Sequence, residues 1–437
     1  MDTKKLRQKI LDLAIHGKLV PQDPNDEPAS VLLERIKAEK EQLIKEGKIK
    51  RQKKSASSDT SHYGNMPKGW ANTTIGEIFT LQAGKNISSQ EIHPNRSPNF
   101  QYPCYGGNGI RGYVSTANRN GDYPIIGRQG ALCGNVNIAS DFFYATEHAV
   151  VVQLYCNMNL KWAFYVLTAL NLNQYATATA QPGLAVNVIN DVPLLLPPIQ
   201  EQERISREID NYFSLLESFE KNIICLNSNV HQAKSLVLDL ALSGKLTTSH
   251  TSHYGKNEWK SVRISDICTA INGLWTGKKE PFVKVGVIRN ANFTKDFNLD
   301  YSKIALIDVE VSSFAKRSLM AGDLIVEKSG GSDKYPVGRA ILYEGPDNEY
   351  SFSNFTMVLR PKEVNIINSK YLYYSLMNRY LKGAMRTMQT QTTGLHNLIL
   401  DKFMSQTIAL PPIEEQVHIV ENISHYFSIL DSISSSC

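Results

Sequence analysis

The sequence predicts an α+β protein: two globular α/β units and two long helical rods, arranged as a circularly permuted tandem repeat. Three observations predict it. From Leu196 the chain reads Leu-Pro-Pro-Ile-Gln-Glu-Gln202. Beyond the prolines, apolar residues fall at Ile205, Ile209, Tyr212, Leu216, Phe219, Ile223, Leu226, Val230, Ala233, Val237 and Leu240. Steps alternating four and three form the seam of a coiled coil. About 45 such residues make a rod of roughly 65–70 Å. The same heading returns as Leu410-Pro-Pro-Ile-Glu-Glu-Gln416, followed by Ile419, Ile423, Tyr426, Leu430 and Ile433. Tyr426-Phe427-Ser428 repeats Tyr212-Phe213-Ser214, and this copy stops halfway along the rod, at Cys437. Its missing half stands at the other end of the chain. Leu11-Asp-Leu-Ala-Ile-His-Gly-Lys-Leu19 matches Leu238-Asp-Leu-Ala-Leu-Ser-Gly-Lys-Leu246, so Leu6, Ile10 and Leu13 continue the seam. One rod is continuous and the other is assembled from both termini.

Length and composition bound the possibilities. A chain of 437 residues supports two to four domains with proper cores. No apolar run reaches the ~18 residues a membrane helix needs, and the N-terminus lacks the apolar core of a signal peptide. The six cysteines form no CxxC pair and no metal spacing, so reduced thiols in a cytoplasm are expected. Charge is unevenly spread. Residues 256–411 carry 21 Lys and Arg against 15 Asp and Glu, while residues 412–437 carry none against 4. A basic globular half on acidic rods is compatible with nucleic acid.

In order, residues 1–54 read as N-terminal helices, of which 1–19 complete the second rod. The first helix, 1–15, is stopped by Gly17. Ser30 is the expected N-cap of a second helix, Val31 to Glu46. Lys45 to Lys54 is a basic run, either a solvated linker or a contact to DNA backbone. Residues 65–198 form the first globular unit. Its strands are expected at Tyr113–Thr116, Tyr123–Ile126, Gly134–Ile138 and Ala149–Leu154, with a helix from Leu160 to Asn171. Residues 199–246 are the continuous rod. Thr251-Ser-His-Tyr-Gly255 then repeats Thr60-Ser-His-Tyr-Gly64, and Trp259, Ile264 and Ile267 echo Trp70, Ile75 and Ile78. The second globular unit, 256–411, is therefore the counterpart of the first, with a helix from Ser369 to Met385 and a diverged interior. Residues 412–437 form the C-terminal helix.

Little in the chain points to catalysis. Gly273-Leu-Trp-Thr-Gly-Lys-Lys279 is one residue short of a phosphate-binding loop and lacks the Ser or Thr that would meet magnesium; a strand-edge turn is the better reading. Asp323, Glu327 and Lys328 are nuclease residue types in the wrong spacing. His250 and His253 have no cysteine partners for a metal. No Asn-Pro-Pro-aromatic tetrapeptide of an amino-methyltransferase and no cofactor glycine loop occur. Exposed, turn-rich polar segments stand out instead. Candidate DNA contacts in the first unit are Tyr105, Gly107, Asn108, Arg111, Arg128 and Gln129. In the second they are Lys328, Ser329, Ser332, Lys334, Arg339 and Asn354. Glycines let a backbone approach a ligand closely, and Asn, Gln and Arg pair with base edges.

With these residues in view, the chain resembles the specificity (S) subunits of type I restriction-modification enzymes. The resemblance rests on the two proline-headed rods and on Leu13-Ala-Ile-His-Gly-Lys-Leu-Val-Pro-Gln-Asp23. Tyr105-Gly-Gly-Asn-Gly-Ile-Arg-Gly-Tyr113 and Thr146-Glu-His-Ala-Val-Val151 add to it, and it covers essentially the full length. It implies two target-recognition domains separated by an antiparallel coiled coil of the two rods, in pseudo-twofold arrangement. Each domain would read one half of a bipartite, asymmetric site on double-stranded DNA, and the rod would set the spacer and dock two methyltransferase (M) subunits. Motor-nuclease (R) subunits join for cleavage. The chain itself would be non-catalytic: S-adenosylmethionine, ATP and magnesium would belong to partner subunits. One departure is that the Tyr105–Tyr113 motif has no clear match in the second unit. The competing readings are a chain that cuts or methylates DNA itself, a scaffold whose domains bind protein, and a regulatory DNA-binding protein of the same fold. Salt-dependent DNA binding separates the scaffold from the favoured reading.

Overall fold

The computed structural model describes residues 2–51, 66–130, 132–177, 182–246, 259–274, 279–392 and 395–435. The repeats around Thr60 and Thr251, His250, His253 and residues 275–278 of the Gly273 run lie outside the described residues. The chain divides into two compact units, Met1–Asn222 and Ile223–Cys437. Among the described residues no helix is long and apolar enough to cross a membrane.

In the first unit the N-terminal helix, Thr3–Ile15, starts where the Asp2 carboxylate accepts from Lys5 N at 3.1 Å. It stops before Gly17, whose φ of 64° is left-handed. The second helix, Ala29–Lys45, begins directly after Pro28 instead of at a Ser30 cap; proline's fixed φ prepares the first turn without a side-chain bond. The globular domain then opens and closes on one strand pair, Ala71–Thr74 against Pro193–Leu196. Its inner sheet runs in the order Thr80–Ala83, Ala149–Gln153, Tyr123–Gly127, Val136–Ala139. Its outer sheet runs Gly109–Val114, Tyr102–Gly106, Phe142–Ala145, Arg119–Asn120, with the central pair parallel. Helix Leu160–Ala169 is capped by Asn159 and buries six of its ten residues in the core.

The second unit repeats this wiring. Lys260–Arg263 pairs with Thr407–Leu410 at the base. The inner sheet is Cys268–Asn272, Thr356–Pro361, Leu324–Glu327, Ala340–Leu342. The outer sheet is Ala305–Glu310, Phe282–Ile288, Tyr350–Phe352, again with a parallel pair, Phe282–Ile288 with Tyr350–Phe352. The Tyr105–Tyr113 motif therefore does have a counterpart. It is a β-hairpin with a two-residue loop, Gly107-Asn108, and not a run of open turns. In the second unit the equivalent hairpin carries a long connection between its strands, which hides the match in the sequence.

The repeated heading is the joint between domain and rod. Trp70 Nε1 donates to Glu201 Oε2 at 2.9 Å, and Trp259 Nε1 donates to Glu415 Oε2 at the same distance. Gln202 accepts from Asn159 N and donates to Pro197 O, while Gln416 accepts from Asn368 N and donates to Pro411 O. Each pair satisfies a helix N-cap, a chain turn and a rod with one side chain. Burial holds the Glu201 carboxyl above its usual range.

The long helix, Ile199–Leu242, is a single element of 44 residues. Its first half packs on the N-terminal helix, and its second half on the C-terminal helix, Ile413–Ser435. Both contacts are antiparallel. Arg7 makes two bonds to Glu220, at 2.7 and 3.1 Å, while Gln22 reaches back to Glu201. Lys234 meets Asp431, and Asn227 meets Ser434.

The seam departs from the heptad reading in one consistent way. Ile205, Ile209, Leu216, Val230, Ile10, Ile419 and Ile423 are buried; Ile223, Leu226, Leu13 and Leu430 are half-buried. Tyr212 and Tyr426, however, are 40% and 43% exposed, and Phe213 and Phe427 turn inward instead. Phe219 and Leu6 are also exposed, at 37% and 38%, and Val237 and Leu240 yield full burial to Leu238 and Ala241. Two causes combine. A straight helix drifts ~20° per heptad against a 3.5 repeat, so over five heptads the buried face moves on by one residue. The rod also packs on its own domain: Phe213 lies edge-on to Tyr165, and Phe427 edge-on to Tyr374, each on the domain helix. Each half-rod is thus a three-helix contact with a wider stripe than a two-stranded seam.

Candidate functional site

Superimposing the two wirings residue by residue places the polar loops together. In the first domain Arg128 N donates to His148 O, and in the second Lys328 N donates to Phe355 O. Gly127 N bonds Asn135 O where Glu327 N bonds Arg339 O, and Gly134 N bonds Gly127 O where Gly338 N bonds Glu327 O. Arg128-Gln129-Gly130 and Lys328-Ser329-Gly330 therefore occupy one position in the fold. Gly130 and Gly330 share the left-handed turn, with φ of 91° and 99°, which a side chain rarely adopts. The turn Thr146–Ala149 likewise corresponds to Ser353–Thr356.

In the first domain the hairpin tip rests on this loop. A Cβ on Gly107 would lie 2.5 Å from Gln129 O, and one on Gly127 would lie 1.8 Å from Gly107 O. Only glycine allows that approach. Arg128 is half-buried, its Nε donating to Leu184 O at 3.2 Å, while Gln129 and Arg111 are exposed. Asn108, also exposed, accepts from Asn135 Nδ2 at 2.7 Å. Asn108, Gln129 and Asn135 are thus brought together. Tyr105 is not with them: its ring is 7% exposed, packed edge-on to Phe143 in the domain core. Tyr105 takes the face of the strand that turns to the core, and Cys104 the opposite face, where it too is fully buried.

In the second domain Lys328 Nζ donates to Asn272 Oδ1 at 3.1 Å, and Ser329 O accepts from Asn290 Nδ2 at 2.6 Å. The Ser329 hydroxyl is bonded to Asn397. Ser332 and Lys334 are exposed, with Lys334 Nζ 5.4 Å from the ring of Tyr335, itself exposed. Arg339 is drawn into packing and not offered outward. Its guanidinium lies 5.3 Å over Phe293, donates to Thr294 O and pairs with buried Glu327 at 3.5 Å. Asn354 is half-buried beside exposed Phe355. Asp323, a nuclease-like residue type, is tied to Arg360 at 2.7 and 2.8 Å and holds a turn.

Sequence reasoning missed Asn135, Glu147, His148, Tyr335 and Phe355 at these surfaces. The glycine pairs Gly84 and Gly273, Gly130 and Gly330, and Gly134 and Gly338 are the signal that would have aligned the two copies and exposed them. Among the described residues no group of His, Cys, Asp and Glu is arranged to hold a metal ion.

Comparison with known proteins falls in line with this geometry. The family model described as the type I restriction modification DNA specificity domain matches residues 67–226 and 256–435. The EcoprrI specificity subunit of Escherichia coli is 49% identical over 145 residues, covering 33% of this chain and 36% of its own. The EcoEI specificity subunit of Escherichia coli is 23% identical, covering 99% of this chain and 90% of its own. The match thus spans about a third of the first relative and nearly all of the second. Among solved structures, the HsdS subunit from Thermoanaerobacter tengcongensis shares the fold with a TM-score of 0.50 at 14% identity, covering 86% of this chain and 94% of its own. A chain described in a study of complex assembly and conformational transition of the type I R-M system reaches 0.56 at 17% identity, covering 85% and 93%.

Proposed function

Because the chain belongs to the type I restriction modification DNA specificity family, we propose that each of its domains reads one half of a bipartite, asymmetric DNA site. One observation carries the reading. Two domains that share the wiring of the inner sheet and of the hairpin with its parallel neighbour place a basic residue, a polar residue and a left-handed glycine at the same spot, Arg128-Gln129-Gly130 and Lys328-Ser329-Gly330, on otherwise diverged surfaces. Conserved geometry with different side chains is what two readers of different sequences need. Arg128, Arg111, Lys328 and Lys334 would meet phosphate, which positions; Gln129, Asn108 and Ser332 would meet base edges, which specify. The long helix, ~66 Å at 1.5 Å per residue, would set the gap between half-sites.

Bond chemistry would lie with partners acting on cytoplasmic DNA. Two methyltransferase subunits would bring S-adenosylmethionine and methylate adenine, and motor-nuclease subunits would bring ATP and magnesium for cleavage. The test is a genome-wide map of N6-methyladenine in cells co-expressing the chain with its methyltransferase. A bipartite motif with a fixed gap, lost when either domain is deleted, is the expected result. A single contiguous motif would show that only one domain reads DNA.

A further inference from the structure

The hairpin tip of the first domain carries an arrangement that the second domain lacks. Asn135 Nδ2 donates to Asn108 Oδ1 at 2.7 Å, and both side chains are exposed. The bond joins two loops whose backbones already lock together, since Gly107 O lies 1.8 Å from where a Cβ on Gly127 would stand. Neither Asn108 nor Asn135 has a left-handed φ, so the backbone does not require asparagine at either position. The counterpart of Asn135 is Arg339, because Gly127 N bonds Asn135 O where Glu327 N bonds Arg339 O. Arg339 is drawn inward over Phe293. The exposed amide is therefore a property of one reader and not of the shared frame.

What the pair presents is a matched edge. With one N–H given to Asn108, Asn135 keeps its second N–H and its Oδ1, and among the described residues no bond takes either. A donor beside an acceptor fits adenine, which shows N6–H and N7 side by side in the major groove. Guanine shows two acceptors there, cytosine a donor, and thymine one acceptor beside a methyl. The apolar surroundings point the same way. Leu132, 55% exposed, is tied to Asn135 by a turn in which Asn135 N donates to Leu132 O at 3.2 Å. Hydrocarbon next to an amide is the complement of an A·T pair, whose thymine offers its methyl in the same groove. The paired strands Tyr102–Gly106 and Gly109–Val114 form a two-stranded ribbon, a shape that the major groove admits.

We propose that Asn135 reads the adenine of an A·T pair in the first half-site, with Leu132 against the thymine methyl; the proposal rests on the DNA-reading function above. The adenine that is methylated leaves the stack for its enzyme, so the pair read is another one. Asn108 is a positioning residue: it fixes the Asn135 amide and keeps its own Nδ2 for a neighbouring edge.

The experiment maps N6-methyladenine in cells expressing the full chain, parent or variant, with its methyltransferase. The parent motif should hold such an A·T pair in the first half-site. Asn135→Ala should lower discrimination there by roughly 5- to 150-fold. Asn135→Asp, whose carboxylate only accepts, should move the preference towards cytosine. The gap and the second half-site should stay unchanged in both. Asn108→Ala should relax the same pair and no other. A second measurement keeps the parent complex and replaces each unmethylated adenine of the first half-site in turn by 7-deazaadenine, which lacks the N7 acceptor. One replacement should weaken binding by the parent and leave binding by Asn135→Ala as it was. A uniform loss of methylation with an unchanged motif would make the amide pair structural and overturn the proposal. So would a preference altered only at a G·C pair, or a parent complex indifferent to every 7-deazaadenine. In each of these cases the bipartite motif persists and the domain reading stands, whereas a parent map without a bipartite motif would sink both.

Discussion

The drift of the buried face along the long helix can be tested at two leucines two residues apart. Heptad counting puts Leu240 in the seam, but the structure buries Leu238 completely and leaves Leu240 half-buried. Truncating a fully buried leucine to alanine costs about 2–5 kcal/mol, transfer and cavity terms together. Leu238→Ala should therefore destabilise the second unit by ~3 kcal/mol. For a unit of about 215 residues, each kcal/mol lowers Tm by about 2–4 °C, so the shift should be roughly 6–12 °C. Leu240→Ala removes a side chain that already meets water and should cost ~1 kcal/mol, or about 2–4 °C. Differential scanning calorimetry of both variants, alongside the parent chain, reads the difference directly. Equal shifts, or a larger one for Leu240→Ala, would refute the drift and restore a strict two-stranded seam.

Three further outcomes are expected. Trp70→Phe removes the indole donor to buried Glu201 and should cost ~1.5–3 kcal/mol at pH 7. Burial already raises that carboxyl and loss of the donor raises it further, so the penalty should shrink in denaturant titrations as pH falls and the group protonates. The Glu220 carboxylate, held down to about 2 by its bonds from Arg7, contributes stability above its ordinary value of ~4.3 that is lost as pH falls towards 2. Glu220→Gln and parent stability curves should accordingly converge at pH 2. On DNA, Lys328→Ala should weaken binding evenly across sequences and reduce the salt slope by ~1, while Gln129→Ala should relax preference at one base pair by ~1–3 kcal/mol; a reversal of these two patterns in a binding-site selection would contradict the assigned roles.

How far the sequence reached is clear from particular residues. The permuted repeat was legible because the joint is built from residues that must be themselves. Trp70 and Trp259, Glu201 and Glu415, Gln202 and Gln416 make the same bonds in both copies. The four strands and the helix expected inside the first domain lie within a few residues of observed elements, since period and punctuation mark them, whereas Thr80–Ala83, Tyr102–Gly106 and Phe142–Ala145 were not foreseen. The equivalence of the two domain interiors was not legible, because sheet wiring is carried by backbone bonds that leave side chains free to diverge. Burial parity was also out of reach: nothing local says that Tyr105 faces the core while Asn108 faces out. Arg339 was misjudged because its partner, Glu327, is twelve residues away and meets it only across paired strands.

The two base strands of each domain have a consequence of their own. Ala71–Thr74 runs beside Pro193–Leu196, and Lys260–Arg263 beside Thr407–Leu410, so each domain enters and leaves the helical frame through one narrow doorway. Everything between those thresholds is one module, and a replacement would have to keep, besides the tryptophan and the Glu-Gln pair, the faces that Tyr165 and Tyr374 turn to Phe213 and Phe427. A module that met those conditions would change the polar loops it carries and leave the helical frame as it is.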